Sequence, residues 1–142
     1  MSKNLTNKFI KFELVSPQES FVEQKSYLVN LPAKEGQMGA MYGHVAMLVE
    51  LSAGVVIIFD GLMKIIHKLY ISGGYSEITE QKVTVICNEF APLDSFNIVD
   101  LQRKLSQLEQ LILLEADQLK KTELEQDLAK VINLQSIISS AK

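Results

Sequence analysis

Twelve residues of this sequence, Gly36 to Met47 (GQMGAMYGHVAM), hold three glycines, three methionines and a histidine. Glycine clusters cradle phosphates when a lysine and a hydroxyl follow and the loop opens a helix, as in G-x-x-x-x-G-K-[ST]. Here Gly43 is followed by His44-Val45, and no helical pattern comes next. Gly36 and Gly39 also lack the strand–helix–strand unit around which a dinucleotide fingerprint is built. Its glycines read as turn makers that let backbone approach a partner closely. Its methionines read as adaptable contact surface.

The remaining reactive side chains are few. His44 and His67 are the two histidines, well separated, and Cys87 is the single cysteine. Zinc sites draw on closely spaced Cys and His, so no metal site is expected. A Cys87–His pair makes a small hydrolase conceivable. Yet Cys87 ends the run Val83-Thr84-Val85-Ile86-Cys87, where a small buried hydrophobe is the simpler role. No serine sits in a G-x-S-x-G elbow. Asp100 and Arg103, spaced i, i+3, read as a solvated ion pair worth about 0.2–0.5 kcal/mol. Neither catalysis nor a cofactor finds support in these residues.

Composition narrows the field further. A chain of 142 residues is one domain, or one domain with an appendage. A net charge of −3 argues against a nucleic-acid binder, which carries a basic patch or stripe. One cysteine excludes an intrachain disulfide and fits a reducing compartment. The longest apolar run, Val55 to Phe59, is far below the ~20 residues of a membrane helix. The start, MSKNLTNKFIKF, has no signal-peptide apolar region. A soluble protein is expected, reaching a membrane only through something it docks on.

The elements that must position these residues change character near residue 92. All seven glycines lie before it, and neither Gly nor Pro occurs after it. In the first part Phe9 to Val15 alternates with period two and stops at Ser16-Pro17, and Ser20 to Leu31 gives two more short strands. Val55 to Phe59 meets the turn dipeptide Asp60-Gly61 and resumes at Lys64 to Ile71, which predicts a hairpin with glycine at the positive φ. Gly73-Gly74, Tyr75 to Thr79, Glu80-Gln81 and Val83 to Cys87 continue the rhythm. Short strands at near-regular spacing point to a β-sandwich or barrel over residues 1–91.

Residues 92–142 read as two helices. Leu101, Leu105, Leu108 and Ile112 fall on one helical face, and a new phase starts with Leu124, Leu128, Val131 and Ile138. The slip places a break within Glu115 to Lys121. Asn97 is a candidate N-cap for the first helix, and Thr122-x-x-Glu125 resembles a capping box for the second. The connection holds only helix formers, so a straightened form of the hairpin is inexpensive in local backbone terms.

The order of these features resembles the epsilon subunit of bacterial F-type ATP synthases, called delta in mitochondria. Phe12-Glu-Leu-Val-Ser-Pro17 is similar to the family's opening strand. Glu35-Gly-Gln-Met-Gly-Ala-Met-Tyr-Gly-His44 is similar to a family segment E-G-x-[LM]-G-[apolar]-x-P-G-H-x-P-L. Ile71-Ser-Gly-Gly-Tyr-Ser-Glu-Ile78 with Val83 to Cys87 is similar to its G-G-[FY]-x-E-[VI] hairpin. Both family prolines are replaced, by Tyr42 and Ala46, which frees φ at two positions.

The resemblance implies a ten-stranded β-sandwich followed by an antiparallel two-helix hairpin, forming a non-catalytic rotor subunit of the central stalk. It implies that Glu35, Gly36, Gln37 and Met38 face the ring of c subunits, and that Ser16, His44 and Val49 lie toward the gamma subunit. The helical tail would modulate ATP hydrolysis by rising along gamma to the alpha/beta head. The location implied is the cytoplasmic face of a bacterial inner membrane, held peripherally, with the mitochondrial matrix side as the alternative. Some relatives bind ATP through [IL]-D-x-x-R-A plus further arginines. Val99-Asp100-Leu-Gln-Arg103-Lys104 departs at both ends of that motif, and Arg103 is the chain's single arginine. Lysine replaces arginine's planar fork poorly, so Asp100 and Arg103 are expected to be a vestige without strong ATP binding. The rival reading is a sandwich module of another assembly.

Overall fold

Alternation in the first part of the sequence becomes strands, and the 3.6-residue period in the second becomes helices. The computed structural model describes residues 8–17 and 20–141, so the reading of residues 1–7 lies outside it. Ten strands come first: β1 (Ile10–Val15), β2 (Ser20–Ser26), β3 (Leu28–Ala33), β4 (Gly36–Met41), β5 (Met47–Leu51), β6 (Gly54–Phe59), β7 (Ile65–Ile71), β8 (Gly74–Ile78), β9 (Lys82–Cys87) and β10 (Phe90–Pro92). A short 3-10 turn, Leu93–Ser95, precedes α1 (Ile98–Leu114) and α2 (Gln118–Ala141). The chain divides into two compact units between Leu93 and Asp94.

The strands hydrogen-bond in the order β10-β7-β6-β3-β5-β8-β9-β1-β2, with β4 added to β3 outside that path. Neighbours are antiparallel except β1 and β9, which run parallel from Lys11↔Lys82 to Val15↔Ile86. The sheet curls where β3 changes partner. Leu28, Val29 and Asn30 face Phe59, Ile58 and Ile57 of β6, whereas Ala33 faces Leu51 of β5. Pro32 sits at the changeover, and its carbonyl accepts the N–H of Ser52 at 2.8 Å. A proline there removes no needed donor.

The inward side chains follow the period of two. Ile10, Phe12 and Leu14 from β1, Val29 and Leu31 from β3, Val56 and Ile58 from β6, and Val83 and Val85 from β9 are all fully buried. Each such side chain contributes roughly 1.5–3 kcal/mol relative to exposure. Ser76 is buried among them, and its hydroxyl has no hydrogen-bond partner among the described residues.

The β6–β7 hairpin forms as expected, but its left-handed residue is Met63 (φ 62°), not Gly61. The reason lies in Asp60. Its Oδ1 accepts the backbone N–H groups of Leu62 and Lys64, each at 2.9 Å, while its carbonyl accepts that of Met63 at 3.0 Å. These three bonds lengthen the turn beyond a two-residue loop, and the positive φ falls on Met63 rather than Gly61.

In the helical unit, Leu101, Leu105 and Ile112 are partly buried and Leu108 is buried on α1. On α2, Leu124 and Leu128 are partly buried, and Val131 and Ile138 are buried. The break spans residues 115–117. Asn97 caps α1, its Oδ1 accepting the N–H of Val99 at 2.9 Å. The second cap is Asp117, whose Oδ1 accepts the N–H of Leu119 at 3.0 Å. Thr122 is not a cap. It lies a turn inside α2, and its hydroxyl donates back to the carbonyl of Gln118 at 2.9 Å. An aspartate available one turn earlier starts the helix before the threonine is reached.

Candidate partner-binding faces

The glycine–methionine segment is a strand for half its length, contrary to its reading as a turn. Gly36 to Met41 pair in register with Ala33 to Leu28, leaving Lys34 and Glu35 as the two-residue loop. Gly36 closes that loop at φ 134°, a conformation that an L side chain rarely adopts. The strand accepts its glycines because β4 pairs with β3 alone. Gly39 has a further reason: a β-carbon there would stand 3.0 Å from Leu28 Cδ1. The true turn is Tyr42-Gly43, where the Gly43 N–H donates to the carbonyl of Glu80 at 2.8 Å.

His44 follows the turn, half-buried, and its ring Nδ1 lies 2.7 Å from the carbonyl of Val45. That contact requires the proton on Nδ1 and leaves Nε2 as the ring's other polar atom. Glu35, Gly36 and Gln37 are exposed, and Met38 is half-buried. They share an open groove of about 400 Å3 with Met47, Leu48, Val49 and Glu50. Val49 therefore sits beside the Glu35–Met38 segment, and it also packs against the core. Lys34 and Glu50 form an ion pair at 2.7 Å on the same rim, and the bond to Glu50 raises the pKa of Lys34. Both are exposed, so the pair contributes little to stability.

Ser16 follows the last residue of β1, and the register shows where that puts it. Val15 faces Ile86, Ile86 faces Tyr75, and Tyr75 faces Glu50. His44 precedes Met47, whose row is Ile78, Val83 and Phe12. Ser16 and His44 thus lie at opposite ends of the sheet formed by β5, β8, β9 and β1.

Between those ends the outward face carries three large apolar side chains in the open. Leu48 is 71% exposed, and Tyr75 and Ile86 are each 53% exposed. Glu13, Thr84 and Glu77 complete the neighbouring outward row with Leu48. The ion pairs Lys34–Glu50 and Lys82–Glu13 (2.9 Å) flank the patch. These three residues escaped sequence reasoning. Their signal was present as large apolar side chains at both parities of β5, β8 and β9, where a solvated face carries polar ones.

The chemical alternatives find no geometry. Cys87 is buried, and desolvation pushes its thiol up to about 11, so nothing activates it as a nucleophile. Among the described residues no group of three or more His, Cys, Asp or Glu is arranged to hold a metal ion. Among the described residues no helix is long and apolar enough to cross a membrane. Asp100 and Arg103 are both exposed, 3.9 Å apart across one turn of α1.

Residues 9–92 match the profile of the ATP synthase delta/epsilon chain β-sandwich domain, more than half of the chain. The chain belongs to the ATP synthase delta/epsilon family. An epsilon chain from Rhodospirillum centenum is 30% identical over 103 residues, covering 70% of each protein. One from Paramagnetospirillum magneticum is 37% identical over 84 residues, covering 59% of this chain and 62% of that one. A chain in the Euglena gracilis mitochondrial ATP synthase OSCP/F1/c-ring structure shares the fold at a TM-score of 0.73. Its sequence identity is 18%, with 94% of this chain and 81% of that one covered.

Proposed function

We propose that this protein is the epsilon-type subunit of an F-type ATP synthase central stalk, non-catalytic, coupling rotation to ATP synthesis. The observation that carries the docking is the outward face of β5, β8, β9 and β1. Leu48, Tyr75 and Ile86 lie exposed there between Ser16 and His44. An apolar patch ringed by ion pairs is the anatomy of a subunit interface, with a desolvated centre and a polar rim. The gamma subunit is its proposed occupant. Glu35, Gly36, Gln37 and Met38, at the tip of the β3–β4 hairpin, meet the c ring. The protein is thereby held peripherally at the membrane, on the side of the catalytic head.

The tail is the proposed regulatory element. Its two helices are joined by three residues, and Asp117 caps one packing without a Gly or Pro to forbid the other. Two packings a few kcal/mol apart let conditions bias the state. The test is ATP hydrolysis by the reconstituted alpha/beta/gamma head, with the full chain and with a version ending at Ala91. Failure of either form to bind the head overturns the subunit reading. Binding with equal inhibition by both forms leaves that reading standing and removes the helices as the brake.

A further inference from the structure

The end of the sandwich opposite Glu35 presents a second surface. The β3–β4 pairing sets the geometry: the Lys34-Glu35 loop is at one end, and Leu28↔Met41 is at the other. Phe59 faces Leu28 and also Ile65, so the β6–β7 turn stands at this far end. Five strand steps separate the two ends, about 17 Å.

At the tip of that turn Leu62 is 78% exposed and Met63 is 52% exposed. Met63 is the one described non-glycine residue at positive φ, and Asp60 holds the turn with three hydrogen bonds. A strained backbone that fixes two large apolar side chains in water is a reason to look for a function there. Around the tip stand lysines. Lys25 Nζ lies 4.3 Å over the ring of Phe9, which reaches toward Gly61, and Lys8 Nζ lies 5.1 Å from the ring of Tyr42. Lys64 follows Met63 directly. None of these three lysines is ion-paired among the described residues, whereas Lys11, Lys34 and Lys82 each have a glutamate. The acids near this end include Asp60, whose Oδ1 is taken up by the turn, Glu23, which lines a pocket with Phe9 and Lys25 and is paired with Lys11 at 2.8 Å, and Glu80, exposed in the β8–β9 turn.

We infer that the Leu62–Met63 tip and its collar of Lys8, Lys25 and Lys64 form a docking site for an acidic protein surface with an apolar recess. This inference rests on the stalk reading above. If the Glu35 end meets the membrane-embedded ring, the far end points away from the bilayer, which favours a protein over a lipid surface. Charge complementarity selects an acidic partner, the stacked lysines are already oriented, and the fixed tip supplies a centre to bury.

The test uses the full chain and the purified alpha/beta/gamma head of the same synthase. Two double variants are compared with wild type: Leu62→Asn/Met63→Asn, whose asparagines suit the turn and positive φ, and Lys25→Glu/Lys64→Glu. The expected result is at least a tenfold rise in Kd for each. The lysine variant should also lose most of the salt dependence seen with wild type between 50 and 300 mM, a range of roughly fourteen down to six ångströms of screening length. Wild-type binding with unchanged Kd in both variants overturns the inference and leaves the stalk reading intact. No binding by wild type overturns both. Binding to phosphatidylglycerol vesicles, but not phosphatidylcholine vesicles, that both variants abolish would assign the tip to lipid and overturn the protein partner.

Discussion

Gly54 lies against Pro32 so closely that a β-carbon on Gly54 would stand 2.6 Å from Pro32 Cβ. Pro32 is where β3 leaves β6 for β5, so the contact pins the curl that closes the sandwich. A proline ring cannot swing aside. Gly54→Ala is therefore expected to destabilise the protein by about 1–3 kcal/mol, the usual cost of overpacking. Urea unfolding checks it, and a change within error would mean that β3 shifts freely.

The β6–β7 turn gives a paired prediction with opposite origins. Met63→Gly relieves a left-handed cost of about 1–2 kcal/mol, and loses about 0.4–1 kcal/mol to the freer unfolded chain. A small net gain in stability is expected. Gly61→Ala is also tolerated, because Gly61 is not at positive φ and the new methyl would sit 3.6 Å from Phe9 Cε1. Thermal melts of both variants decide it: a large loss in Gly61→Ala would return the left-handed position to the glycine.

Cys87 predicts an alkaline weakness. Burial raises its thiol from 9.0 to about 11, so between those values the unfolded chain has released a proton that the folded chain keeps. Folding then takes up a proton, and stability falls as pH rises, by about 2–3 kcal/mol in all near pH 11. Burial, and secondarily Glu89, also raises Tyr70, which acts in the same direction in wild type and variant alike. Urea melts of wild type and Cys87→Ala from pH 8 to 11 isolate the thiol. The variant should lose less stability across that range, and parallel profiles would refute the assignment.

The second helix tests which residue starts it. Asp117→Ala removes the hydrogen bond to Leu119 and should cost about 1 kcal/mol of helix stability. Thr122→Ala replaces a mid-helix threonine by the best helix former and should gain about 0.5 kcal/mol. Melting followed by helical circular dichroism reads both, and a destabilised Thr122→Ala would restore the threonine as the cap.

Periodicity made both halves of the chain legible. The period of two marked Phe9 to Val15 as a strand, and its alternate residues Ile10, Phe12 and Leu14 are fully buried. The helical stripes marked Leu108, Val131 and Ile138, which are the buried residues of α1 and α2. These signals depend only on side chains repeating along a local geometry, so a sequence carries them in full. The break between the helices was legible for the same reason.

The tertiary structure decided where alternatives were locally equal. Gly36 to Met41 read as a turn because glycines favour turns, yet they pair along β3, since a strand bonded on one side can take glycine. Asp60 moved the positive φ from Gly61 to Met63 through hydrogen bonds that composition does not reveal. Asp117 outran Thr122 because both are good caps and the earlier one starts the helix. The patch of Leu48, Tyr75 and Ile86 exists only through register, which brings three strands distant in sequence side by side. A sequence fixes which side chains alternate. Only cross-strand pairing fixes which of them become neighbours, because that depends on partners chosen from elsewhere in the chain.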